Sequence, residues 1–257
     1  MTMFLATPKP VNLNPLIEST IEWLDRRSGV VGNESLVQLP WMFRWGFRLW
    51  PARCLVCGGA SDLRYLDICR ACLWTLPFIG SSATDVVPLR YAPPVDDGLR
   101  ALKFHADWRW AAIFGAILAG WSQASGAAPV SFLVPMPLHA ARRAERGFNQ
   151  AAQIAKFAAL WLGVAVDQRT LIRARPTRPQ TTLSAARRRD NVQGAFERHP
   201  ASRIRAGQSI VIALVDDVRT TGATLDTASA ELESVPGVTV QRWAVASAMP
   251  TKTTSPA

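Results

Sequence analysis

Much of the equipment that enzymes commonly draw on is scarce in this chain of 257 residues. Histidine occurs only at His105, His139 and His199, and none of these lies in a phosphate-binding motif. A lone histidine is more often structural, so none is assigned a catalytic role, and no serine–histidine–aspartate constellation can be argued from spacing. No GxxxxGK[ST] and no GxGxxG occurs, which argues against a P-loop or a dinucleotide fold. Internal repeats are also missing. The longest apolar stretch, Trp108 to Trp121, is too short to span a bilayer and contains Arg109. Met1 to Leu24 carries Pro8, Pro10, Pro15, Glu18, Glu22 and a single lysine, which is not the pattern of a signal peptide. The expected location is therefore cytoplasmic.

Acid is in short supply as well. Nineteen carboxylates against 29 lysines and arginines leave a formal net charge of +10, with a pI near 10.5. Such a surplus implies polyanionic partners: phosphorylated metabolites, nucleic acid or an anionic surface. Charge alone does not choose among them.

Cysteine is confined to Cys54, Cys57, Cys69 and Cys72. Two C-x2-C pairs separated by eleven residues have the spacing of a structural zinc site of the ribbon or treble-clef kind. Gly58 and Gly59 can turn backbone N–H groups towards the sulfurs. Disulfides are the alternative, disfavoured in a cytosolic setting, and redox chemistry would need one pair rather than two. Four cysteines leave no open position for catalysis, so a zinc ion here is structural.

What the chain does possess is the stretch Ile210 to Leu225, IVIALVDDVRTTGATL. Ile210 to Val215 is apolar without alternation, which suits a strand buried on both faces of a parallel sheet. Adjacent charges cannot be buried unpaired in a core strand, so Asp216 and Asp217 are expected to mark its carboxyl end. Thr220, Thr221, Gly222, Ala223 and Thr224 then precede a helix expected over Leu225 to Val235. Backbone N–H groups at a helix start, with hydroxyls beside them, form a phosphate cradle, and Gly222 permits close approach. Two acids beside an anion pocket suit a phosphorylated sugar with a vicinal diol. A buried strand with a polar turn is the plainer alternative, but it explains neither the acid pair nor the threonines. A magnesium phosphoacceptor site would use strand-end aspartates without calling for TTGAT.

Elsewhere the chain alternates strands and helices. A short helix is expected over Ser19 to Arg27, and the aromatic, basic run Leu39 to Trp50 either packs on its own domain or meets a membrane surface or nucleic acid. Pro88 to Phe104 reads as strand, turn and short helix, Trp108 to Trp121 as a helix, and Phe132 to Met136 as a strand ended by Pro137. A helix from about Asn149 to Leu162 stops at Gly163. Val164 to Ile172 reads as a second parallel strand, and Val238 to Ser247 as the last strand. Arg173 to Arg189 holds six arginines and no acid, a mobile loop or a solvated basic surface, and Gln180, Ser184, Asn191 and Phe196 punctuate the chain up to the turn at Gly207. The fold class expected is α/β, a parallel sheet flanked by helices. The divisions are an extension (1–50), a cysteine module (51–76), the α/β domain (86–248) and a disordered tail (249–257).

VDDVRTTGATL (215–225) resembles the phosphoribosyl-pyrophosphate signature of type I phosphoribosyltransferases. With ALKFHADWRWA (101–111), LVPMPLHAARRAERGFNQAA (133–152), LIRARPTRPQTTLSAARRRDNVQGAF (171–196) and the double CxxC, the chain resembles the ComF family (ComF/GntX-like proteins) over roughly residues 50–248. The resemblance implies Asp216 and Asp217 on the ribose hydroxyls and Thr220 to Thr224 around the 5-phosphate. It implies magnesium accompanying the pyrophosphate, and a pyrophosphate loop at Leu138 to Arg146 that includes Arg142 and Arg146. Members are linked to DNA uptake and competence. Arg219 departs from the pattern, since relatives often carry an apolar or aromatic residue there; it adds a cation near the phosphate or points to water. Two functions compete: a phosphoribosyltransferase acting on a nitrogen nucleophile, and a noncatalytic factor that binds single-stranded DNA or the uptake machinery. The acceptor and the oligomeric state stay open.

Overall fold

The computed structural model describes residues 13–33, 53–63, 65–80, 82, 84–174 and 194–248. Expectations for residues 1–12, the aromatic run 39–50, the basic segment 175–189, Asn191 and the tail 249–257 lie outside the described residues. In chain order the elements begin with α1 (Asn14–Asn33), the cysteine segment and α2 (Arg70–Trp74). Strands β1 (Asp85–Val86) and β2 (Leu89–Arg90) then lead to α3 (Val95–His105) and α4 (Trp108–Ala124). After β3 (Phe132–Pro135) come α5 (Ala140–Arg146), α6 (Gln150–Leu162) and β4 (Ala165–Val166). The chain continues through β5 (Leu171–Arg173), β6 (Phe196–Arg198), β7 (Ile210–Arg219), α7 (Ala223–Glu233) and β8 (Val238–Ser247).

The apolar run is the middle of the sheet. Strand order is β1-β8-β7-β3-β4, with β2 also on β8, and every pairing is parallel. Because successive side chains of a strand point to opposite faces, Ala213 and Val215 enter one core while Ile212 and Leu214 enter the other. The first core lies under α1, α4 and α6, the second under α7 and the β5–β6 pair. The protein is thus an α/β fold whose sheet is covered by helices on both faces, as the unbroken hydrophobic run requires. Where α4 crosses α6 the backbones nearly touch: a β-carbon on Gly115 would lie 2.6 Å from Phe157 Cβ and 2.7 Å from Ala158 N. The cysteine segment is not a separate lobe. Cys54, Leu63, Leu66, Ile68, Leu73 and Leu76 share the first core with Ile17, Ile21 and Leu24 of α1.

Three expectations need correction. Val164 to Ile172 is not one parallel strand. Asp167 accepts hydrogen bonds from Arg169 N (2.8 Å), Thr170 N (3.1 Å) and Thr170 Oγ1 (2.9 Å), a local turn that competes with the ladder. Only Ala165 and Val166 pair with β3; β5 leaves the sheet and pairs antiparallel with β6. Secondly, β7 does not end at the acid pair but runs on to Arg219, opposite Ser247 of β8. Helix α1 is also longer than Ser19 to Arg27. Among the described residues, no helix is long and apolar enough to cross a membrane.

Candidate functional site

The strand order creates the crevice. From β3 the chain travels through α5 and α6 outward to β4, whereas from β7 it travels through α7 the opposite way, to β8. The carboxyl ends of neighbouring strands β3 and β7 therefore release their chains in opposite directions, which is where open α/β sheets bind ligands. Residues following β3 (Met136 to Arg146) and the end of β7 with its loop (Asp216 to Thr224) face this point. Asn149 ties the rim together: its amide donates to Met136 O (2.9 Å), while its Oδ1 accepts from Ala151 N (3.0 Å) and caps α6.

Asp217 is buried, and the charge does not go unpaired. Lys103, from the last turn of α3, forms an ion pair with Oδ2, and Gln150 Nε2 donates to Oδ1 at 3.2 Å. The Asp217 N–H donates to Asp216 Oδ1 at 2.9 Å. Gln150 is itself oriented by Arg146, whose Nη1 donates to its Oε1 at 2.6 Å. The Arg146 guanidinium stands 5.8 Å from the ring centroid of Phe104, which is 69% exposed. Burial pushes the Asp216 carboxyl well above the usual carboxylate range, and the neighbouring Asp217 charge adds to this. Burial acts on Asp217 too, but the Lys103 ammonium and the hydrogen bond it donates outweigh it and hold Asp217 low. For Lys103, burial lowers the pKa and Asp217 more than restores it.

The two acids should therefore titrate apart, and carboxyl-carbon NMR should show Asp217 losing its proton at lower pH than Asp216. The signs for stability oppose each other. Asp217, with its folded pKa depressed, contributes stability above the unfolded carboxylate range that is lost as pH falls through its folded pKa. Asp216, with its folded pKa raised, contributes stability below the unfolded range that is lost as pH rises through its folded value. Lys103→Met should move Asp217 upward; an unchanged Asp217 titration would dismiss Lys103 as the cause.

The loop after β7 is built on Gly222, the N-cap of α7, whose φ of 84° lies in the left-handed region. Thr221 Oγ1 accepts from Ala223 N at 3.4 Å. Arg219 does not simply point to water. It donates to Asp85 Oδ2 at 3.0 Å, and a β-carbon on Gly222 would lie 3.2 Å from its Nε. Arg242 joins Asp85 (2.6 Å) to Asp226 (3.0 Å), so a balanced four-residue ion network borders the loop. On the β3 side, Leu138 to Arg146 is largely helical rather than an open loop. His139 caps α5 and Gly147 ends it in the left-handed conformation. Arg142 is exposed on that helix. Burial, and then the charge of Arg142, lower the pKa of Arg173, against the pull of Asp216.

The four cysteines converge. Their sulfurs all lie within 4.8 Å of one another, and Cys57 Sγ is 3.8 Å from Cys69 Sγ. A tetrahedral zinc with Zn–S of about 2.3 Å requires sulfur–sulfur edges of about 3.8 Å. The turn is made by Gly58 N donating to Cys54 O (2.8 Å), with Gly58 at φ 73°, and by Cys72 N donating to Cys69 Sγ (3.4 Å). Burial raises the Cys54 thiol, but N–H donors of Cys57, Cys69 and Val56 bring it down to about 6. All four are free thiols. The quartet can hold a metal ion such as zinc, and among the described residues no other cluster of cysteine, histidine or acid is so placed.

Sequence reasoning missed Lys103, Gln150 and Phe104 as site residues and treated Arg173 only as part of a basic segment. The periodicity of α3 held a partial signal: Val95, Gly98, Leu99 and Leu102 are buried, and Lys103 borders that face. His139 and His199 serve local backbone caps, accepting from Ala141 N (3.3 Å) and Ala201 N (3.0 Å).

No protein-family model matches the chain. Among curated proteins, DNA utilization protein YhgH of Salmonella typhi is 33% identical over 157 residues, 60% of this chain and 67% of that protein. YhgH of Escherichia coli K12 is 31% identical over the same shares. Competence protein F of Haemophilus influenzae is 34% identical over 122 residues, 45% of this chain and 50% of its own length. On these relatives, and on the blocks that carry the likeness, the chain belongs to the ComF family.

Proposed function

We propose that the crevice binds phosphoribosyl pyrophosphate, or a related ribose 5-phosphate, and that the protein transfers the phosphoribosyl group to a nitrogen acceptor. The observation that carries this reading is the position of Asp216 and Asp217 at the switch between β3 and β7, with the Gly222 loop directly after them. In this reading the acids accept hydrogen bonds from the ribose diol. The N–H groups from Thr220 to Thr224 hold the 5-phosphate, and Arg142 and Arg173 face the pyrophosphate. The acceptor nitrogen forms its bond to the anomeric carbon as the bond to pyrophosphate oxygen breaks, through an oxocarbenium-like state. The help is chiefly electrostatic: guanidiniums beside the departing anion and acids beside the cationic ribose. The acid pair does not fit a magnesium ion, because Gln150 and Lys103 already engage both Asp217 oxygens. Magnesium enters the reading only as a companion of the pyrophosphate ligand. The cysteine quartet we read as a structural zinc site.

Calorimetry in magnesium buffer should detect phosphoribosyl pyrophosphate binding at millimolar ligand or below. Asp217→Asn keeps the shape but weakens a charge-assisted hydrogen bond, so it should cost about 1–3 kcal/mol of affinity. Absence of binding to the wild-type protein would reject the reading. The names of the relatives support a role in DNA utilization and competence, and exposed Arg142, Arg143 and Phe104 offer cations and a stacking face. The second reading is accordingly a noncatalytic factor that binds single-stranded DNA through this surface. It predicts DNA affinity that falls steeply with salt and is indifferent to Asp217→Asn.

A further inference from the structure

Adjacent carboxylates at a strand end usually invite a divalent cation, which needs several oxygen ligands. Here the invitation is already answered from within the chain. Lys103 reaches Asp217 with 22% of its own side chain and 9% of the aspartate's exposed. Its helix has little freedom to withdraw it: Val95, Leu99 and Leu102 are buried, and Gly98 packs directly on the Trp110 ring. The remaining Asp217 oxygen takes Gln150, and Asp216 Oδ1 takes a backbone N–H. The Gln150 contact is braced in turn by Arg146. Such a pair has lone pairs left for hydroxyl donors, while the Lys103 ammonium beside Asp217 Oδ2 repels a second cation that approaches Asp217.

We infer that Lys103 is the resident cation of the acid pair: it holds Asp217 in place, keeps divalent metal off the pair and reserves the carboxylates for hydroxyl groups of the ligand. Lys103 is thus a positioning residue that selects a diol over a metal ion. The preference for a diol rests on the phosphoribosyl reading; the exclusion of metal does not.

The test is a Mn2+ titration of the full, zinc-loaded chain, followed by the electron paramagnetic resonance signal of free Mn2+. Wild-type protein should show no Mn2+ binding that depends on Asp217. Lys103→Met should gain a Mn2+ site at least about tenfold tighter than any on the wild type, and Lys103→Met with Asp217→Asn should lose it again. Lys103→Arg, which keeps a cation, should behave as wild type. A Lys103→Met protein that folds and gains no site would overturn the inference. Should that variant fail to fold, the wild type still decides: Mn2+ binding abolished by Asp217→Asn overturns it, and no such binding upholds it. If the Mn2+ results hold while calorimetry finds no phosphoribosyl pyrophosphate binding, the phosphoribosyl reading falls and the resident cation stands.

Discussion

Cys69→Ser should remove the metal from the protein and lower its melting temperature by roughly 10 °C or more. Structural zinc contributes folding free energy outright, because the unfolded chain does not hold the site, with apparent values of about 10–16 kcal/mol in isolated zinc peptides. Losing one thiolate forfeits only part of that, but the damage should spread. Cys54, Leu63 and Leu73 belong to the same buried cluster as α1 and α4, and Arg70 of α2 pairs with Asp25 of α1 at 2.6 Å. A loss of about 3–5 kcal/mol converts to about 10 °C in a chain of this size. Metal analysis of protein purified without chelator should find one zinc per chain, and near zero in the variant. Zinc retained in full after Cys69→Ser and Cys54→Ser together would remove the assignment.

Gly222→Val should abolish measurable ligand binding, a loss of at least about 100-fold or about 2.7 kcal/mol, while the fold survives. Position 222 has φ of 84°, where a β-branched residue is strained by about 1–2 kcal/mol. The new β-carbon would sit 3.2 Å from Arg219 Nε and 3.3 Å from Asp226 Oδ2, both far ends of flexible side chains. These can give way, but only by disturbing the pairing of Arg219 with Asp85. On the phosphoribosyl reading the larger harm is to the ligand, whose phosphate would approach the backbone at the position the valine occupies. Gly222→Ala should fall between wild type and valine. Thermal melts and calorimetry on the same samples separate the two effects; a valine variant that binds as tightly as wild type would exclude this loop as the phosphate site.

Local chemistry determined a large share of this protein by itself. A run of apolar residues with no alternation has one stable use, a strand covered on both faces, and Ile212 to Val215 divide between two cores as that use demands. The ends of α6 were equally legible, because Asn149 and Gly163 meet requirements of the backbone through groups close in sequence. The spacing of the cysteines likewise determined their convergence, since each pair is closed by a short turn. What only the tertiary structure decided was which charge meets which. Lys103 finds Asp217 because α3 docks beside the end of β7, and Arg219 finds Asp85 because β1 lies across β8. The departure of β5 from the sheet depended on the side chain of Asp167 competing for the backbone. Periodicity and turn chemistry act over a few residues, so the sequence displays them directly. The pairing of buried charges is set by how whole elements pack, and a lysine bordering a helix face reads alike whether it meets water or an aspartate.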